Sequence, residues 1–518
     1  MKSHFVTILS LVIVFQADAD TTYVSGAVSG VWTIMGNPYI ATGSLVVQTG
    51  QELQIEPGVR VELHGGQRLT VYGRLHCEGT AADPVLFTQD TVTYPTRWQG
   101  LAFANSTGDS SVLRNTIVEF ASSWDGVIRV MGGLHEIRDL NFRYNTGFGV
   151  NVLTQSLRIE NSTFFENGRE GGCGAAVRAN SSQIEISGCT VKYSRALDGG
   201  ALCFYDCEVT VDSTEFYGNK GTIWGGVVYA DNSNFRFESC VFDSNLSLSG
   251  GVAHLVDGGK VEFNRCVFSR NESRHDGYTG NYGAVFAPTG DTLRFTNCLF
   301  YRNWGGNYST VYSDANMTIH QCVFVENAIH GFMAGPDIDT LRFTAFHTRP
   351  TNLQGAPPNF GVLQNLNENG DSIDVYGNLF TSPGFDPLGP YGEFSLHHTS
   401  HLINAGSANS PQDPDGTLPD LGPYPFFHLA PIDDLNIVHI TGTQNIRLRW
   451  TEVPDAVEYW VFRTTSGEFD WSTAQFVGAN AFPEYVHEGA LAEPFGQTTY
   501  VVIASQVSAQ LASPLPTR

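Results

Sequence analysis

The segments CVFDSN (240–245), CVFSRN (266–271), CLFYRN (298–303) and CVFVEN (322–327) carry one pattern: Cys five residues and Phe three residues before an Asn. Looser copies stand upstream as LNFRYN (140–145), STFFEN (162–167), CTVKYS (189–194) and TEFYGN (214–219). With Ser194 filling one gap, the Asn positions 145, 167, 219, 245, 271, 303 and 327 advance in steps of 22 to 27 residues, apart from a step of 32 after Asn271. An alternating stretch precedes the motif, as in LRIEN, VTVDS, FRFES, VEFNR and LRFTN. Between motifs lie glycine-led apolar starts: GGCGAAV (171–177), GGALCF (199–204), GGVVYA (225–230), GGVAHL (250–255) and YGAVFA (282–287). Alternation at period two puts one side of a strand inside and the other outside.

A repeat this short cannot bury its own apolar face, whereas stacked copies can, each pairing its strands with the coils above and below. The expected fold is therefore all-β: a single-stranded right-handed parallel β-helix. Like residues then form ladders. Phe142, Phe164, Phe216, Phe242, Phe268, Phe300 and Phe324 are expected to stack inside, and the seven Asn to bond along the axis at a turn. Cys189, Cys240, Cys266, Cys298 and Cys322 share a register that holds Ser162 and Thr214 in other coils. That marks a small interior position rather than a disulfide framework. Cys203 with Cys207, or Cys173 with Cys203, remain open as pairs, and no CxxC pair suggests zinc.

The chain begins with Lys2, an apolar run from Phe5 to Phe15 and the triplet Ala17-Asp18-Ala19. This is the layout of a secretory signal peptide over 1–19, so the protein is expected to be secreted or displayed at a cell surface, with no transmembrane helix. Lys plus Arg number 28 against 52 Asp plus Glu, giving a net charge of −24. That acidity argues against nucleic-acid binding.

Four parts are expected: the signal, an N-terminal cap with first coils (20–110), the main β-helix with its C-terminal cap (111–428), and a last unit (429–518). The phrases IEPGV (55–59), LTVYGRLHCEGT (69–80) and RWQGLAF (97–103) resemble the opening coils of bacterial secreted β-helix proteins. The central coils, with GGAL at 199–202 and the recurring FxxN, resemble the repeats of chlamydial polymorphic outer-membrane proteins. The resemblance implies a fold and a surface setting, not an activity. That family's C-terminal outer-membrane barrel has no counterpart here, so autotransport is not implied. The segment 378–426 (NLFTSPGF…GPYPF) resembles the closing phrase of secreted β-helix proteins and is expected to close the solenoid. Residues 429–518 resemble a fibronectin type III sandwich, on Trp450, Ala456, Tyr459 and Tyr500.

Function is less legible. Hydrolysis needs two facing carboxylates, and elimination needs a Lys or Arg base beside a charge neutraliser. The outward residues Arg158, Glu160, Glu185, Asp212, Arg236, Glu238, Glu262, Arg265 and Arg294 alternate in sign and read as a solvated face with cross-rung ion pairs. The first expectation is thus a non-catalytic adhesion or glycan-binding scaffold, with polysaccharide or a cell-surface glycan or protein as partner. The alternative is a polysaccharide lyase or glycoside hydrolase of pectate-lyase-like fold. Insertions in a solenoid map to its flank. The longest step adds His275, Asp276, Tyr278 and Tyr282, with Trp304 and Tyr308 following, as a place for a sugar ring to stack. Asp413, Asp415 and Asp420, set among Pro and Gly, offer oxygens to Ca²⁺ or, more simply, cap a turn.

Overall fold

The computed structural model describes residues 21–89, 96–104, 110–168, 171–257, 259–274, 284–287, 292–305, 309–313, 316–327, 330–334, 338–347, 356–387, 391–414, 416–426, 432, 434–453, 456–464, 475–491 and 498–505. The signal segment lies outside them. The body is an all-β, right-handed parallel solenoid. One coil shows the plan: a first strand Val150–Leu153, a second Ser156–Glu160 and a third Thr163–Phe165. Each pairs in parallel with its counterpart one coil on, at Val177–Asn180, Gln183–Ser187 and Thr190–Lys192. Stacking therefore builds three faces.

Single left-handed residues turn the corners. Thr154 (φ 54°) separates the first and second strands, Asn161 (φ 49°) the second and third, and Glu166 (φ 50°) ends the third. The corner after the third strand opens into the longest turn and carries the loops. Its glycine doublets have a steric cause. Gly199 and Gly225 adopt φ near +52° and +60°, while a Cβ on Gly200 or Gly226 would sit 2.3 or 2.0 Å from a carbonyl oxygen of the next coil.

The ladders form as the repeat predicts. In-register pairing runs Phe142, Phe164, Val191, Phe216, Phe242, Phe268, Phe300, Phe324. All are buried, and rings from Phe216 onward stack nearly parallel. Phe346 continues the row by one coil that the motif missed, because no Asn follows it three residues on. In the Asn row, each Oδ1 accepts from the preceding coil, and each Nδ2 donates to the carbonyl at that coil's Phe position, which Val118 and Val191 fill for Asn145 and Asn219 and a Phe elsewhere, as Asn245 donates to Phe216. The row breaks at Ser194, whose buried Oγ has no partner among the described residues.

The five in-register cysteines are buried and free, and their sulfurs donate to backbone carbonyls two residues back. Burial pushes the Cys266 and Cys322 thiols well up. Of the two open pairings, Cys173 and Cys203 form the disulfide, and Cys207 is a buried free thiol.

The C-terminal closing segment differs from the expected end cap. Phe360 and Phe380 pack on Phe346 and plug the end of the Phe stack. The rest folds back along the solenoid. Leu379, Phe394, Leu396, Leu402, Ile403 and Leu421 bury the outward side of the third face over Val267, Leu299, Val323 and Ala345. The reason is in the strands: their outer positions turn apolar from Val241 onward and demand a cover. Arg270 anchors this strap by bridging Asp243 and Glu393 at 2.7 and 2.8 Å.

The last part holds two three-stranded antiparallel sheets, with Trp450 packed edge-on to Tyr459 in a small core. No described helix is long and apolar enough to cross a membrane.

A candidate carbohydrate-binding flank

The second face carries the alternating charges the sequence suggested. Arg158 pairs with Glu185 at 2.8 Å, Lys260 with Glu262 at 2.8 Å, and Arg294 with Glu262 at 3.5 Å. Gln183, Glu208, Thr210, Asn234 and Arg236 complete an open trough of about 490 Å³. Most of its charges are paired, and the trough is a solvated wall.

The loop-bearing flank is different. It consists of the outer side of the first face and the long turn that precedes each first strand. Three tryptophans lie open on it: Trp124 (55 % exposed), Trp224 (41 %) and Trp304 (49 %). Each stands within five residues of its coil's position in the Asn register (Ala121, Asn219 and Asn303), which puts them in the same turn of coils four and three apart. For Trp124 and Trp224 the sequence signal is their offset from the repeat, which becomes a shared turn only on stacking.

Between the tryptophans runs a row of aromatic and charged groups. Phe148 stands edge-on to Trp124. Arg178 lies over Phe148, its guanidinium carbon 4.3 Å from the ring centre, and 5.8 Å from the ring centre of Tyr205. Trp224 stacks on Tyr229 at 5.8 Å and on His254 at 5.3 Å. The turn can lie flat here because of Gly171 and Gly172: a Cβ on Gly172 (φ +89°) would meet the Phe148 ring at 2.7 Å. The disulfide ties this turn, at Cys173, to the strand beneath, at Cys203.

Burial sets the electrostatics of the row. Desolvation holds His254 neutral, with its pKa down at about 4, and pushes Tyr229 up to about 12. Asp198 is half-buried at the turn, and its pKa is raised by desolvation, against the opposing hydrogen bond from the Trp224 backbone N–H. At the Trp124 end, Asp125 accepts from Arg68 and Ser123 and faces Arg129 at 3.1 Å, which holds its carboxyl down at about 2 despite partial burial.

The residues singled out in the sequence fall as follows. His275, Asp276, Tyr278, Tyr282 and Tyr308 lie outside the described residues. Trp304 is bridged in parallel to Glu272 and shares the flank ribbon of Lys220 and Leu246. Asp413 and Asp420 are buried together: the Asp420 N–H donates to Asp413 Oδ2 at 2.8 Å, and the Asn404 N–H donates to Asp420 Oδ1 at 2.7 Å. Both carboxylates thus serve backbone amides of a turn, while Asp415 lies outside the described residues. Among those described, no three His, Cys, Asp or Glu are grouped to hold a metal ion. His401 pairs with Asp371 at 2.6 Å, and His397 lies against His398.

A family described as "Right handed beta helix region" matches residues 125–280, the coils that carry most of this flank. No curated protein matches the chain, and no solved structure does. Fold and match together make this a right-handed β-helix protein.

Proposed function

We propose that the chain is an exported, non-catalytic display scaffold that binds glycan along its loop-bearing flank. The observation that carries the reading is the row of exposed tryptophans, Trp124, Trp224 and Trp304, on one flank of a rigid rod. Large flat apolar rings beside polar groups suit a sugar, which stacks its C–H face and satisfies its hydroxyls at the edges. The GGAL and FxxN likeness to surface-displayed repeats and the signal-like N-terminus support an extracellular setting. The C-terminal antiparallel unit, read as a fibronectin type III module, serves as spacer. The test is a glycan array on the parent and on a Trp124→Ala/Trp224→Ala variant that keeps the parental melting temperature. Binding by the parent and its loss in the variant are expected; undiminished binding by the variant overturns the reading.

A second reading, a polysaccharide-cleaving enzyme, draws on Asp198 alone, since a half-buried carboxyl of raised pKa suits a proton donor. It requires release of reducing ends or of unsaturated products absorbing in the ultraviolet, abolished in Asp198→Asn.

A further inference from the structure

Three residues occupy the middle outward position of successive first strands: Arg129, Asn151 and Arg178, paired in register. Adjacent strands lie about 4.8 Å apart, so the two arginines stand about 10 Å apart across the asparagine. Asn151 is 5 % exposed; its Nδ2 donates to the Asp125 carbonyl, and its Oδ1 has no partner among the described residues. Among the described residues Arg178 makes neither an ion pair nor a hydrogen bond: its contacts are the rings of Phe148 and Tyr205, and its Nε is buried without an acceptor. Arg129 and Arg68 share one carboxylate, Asp125. Among the described residues, Asp125 thus serves both Arg68 and Arg129 while Arg178 is left without an acid, in a chain of net charge −24. Asp198, further along the flank, owes its raised pKa to burial.

We infer that this cluster is an anion subsite, in which Arg178 pairs with a carboxylate or sulfate carried by a sugar while Trp124 stacks on that sugar's ring. The inference rests on the glycan-binding reading and adds the chemical class of the ligand. A planar guanidinium held against aromatic rings offers two parallel N–H donors in a restricted orientation, which matches an oxyanion. Holding it there beforehand removes much of the ordering cost of binding. Arginine supplies the charge, so the subsite works without a bridging cation.

The experiment titrates the full chain, in a chelator, with three oligosaccharides of equal length: a uronic acid oligomer, its carboxyl-reduced neutral form, and a sulfated oligomer. The parent is expected to bind one of the anionic oligomers at least tenfold more tightly than the neutral one, which also tells carboxylate from sulfate. Arg178→Gln should remove that preference. Arg178→Lys keeps the charge but loses the fork, and should recover only part of it while melting like the parent. Equal binding of neutral and anionic oligomers, or an unchanged preference in both variants, overturns the subsite. If the neutral oligomer still binds and Trp124→Ala abolishes it, the glycan reading stands without this inference; if the parent binds no glycan, both fall.

Discussion

Asn245 donates both its backbone N–H and its side-chain Nδ2 to the Oδ1 of Asn271, each at 3.0 Å. Asn271 in turn donates to Phe242 O and to Asn303 Oδ1. One carboxamide thus joins three coils at a buried corner where water cannot substitute. Asn245→Ala leaves the Asn219 N–H without its acceptor, and an orphaned buried donor costs about 1–3 kcal/mol. Urea denaturation should show that loss in midpoint, with little change in slope.

The break in the same row predicts the opposite sign. Ser194 sits where the ladder wants Asn, and its own hydroxyl is unpartnered among the described residues. Ser194→Asn supplies an acceptor to the Asn167 rung and should stabilise the chain by about 1 kcal/mol, read by the same titration. A destabilised variant would mean the corner lacks room for the amide.

The Phe stack and the Asn row were legible because they repeat: register is set where one side is buried, and like residues must then meet. Val191 in CTVKYS even fills the Phe rung, as the spacing requires. The strap over the third face was not legible. Whether the outer valines at 241, 267 and 323 meet solvent or another segment depends on contacts spanning more than a hundred residues, and the sequence offers no period for them. The candidate flank was half legible. Its side was named through Trp304, but Trp124, Trp224 and Arg178 come from turns and strand faces that only stacking brings together.

Phe268 lies between Phe242 and Phe300, with ring centres 5.1 and 4.7 Å away. Phe268→Ala empties one rung of a close-packed column, at a cost of about 3–5 kcal/mol. Calorimetry should show a lowered transition in the β-helix, while Trp450→Phe in the C-terminal unit leaves that transition in place.

The cysteine assignment gives a count. With nine cysteines and one disulfide, Cys173–Cys203, denaturation without reductant should expose seven thiols and reduction nine. In the folded chain Cys266 and Cys322 should react slowly, since burial raises their pKa and withholds the thiolate. Five or fewer thiols would refute the free ladder.

Acid should loosen the flank. Burial lowers the His254 pKa from an unfolded value of 6.5 to about 4. Above pH 6.5 both states are neutral there, and the fold loses nothing. As pH falls from 6.5 to 4 the unfolded chain takes up a proton that the folded chain refuses, so stability declines by up to about 3 kcal/mol. His320, also lowered by burial, acts in the same direction. A His254→Phe variant should flatten the pH dependence of the melting temperature between 6.5 and 4; an unchanged slope would show that His254 is not the titrating group.

The central claim is that ligand engages the loop-bearing flank rather than the charged wall of the second face. Hydrogen–deuterium exchange on the full chain, with and without the best-binding glycan, tests it most directly. The account predicts new protection in peptides covering 122–129, 146–153, 171–180 and 196–205, with the trough strands 183–187, 208–212 and 234–238 unchanged. Protection confined to those trough strands would contradict it.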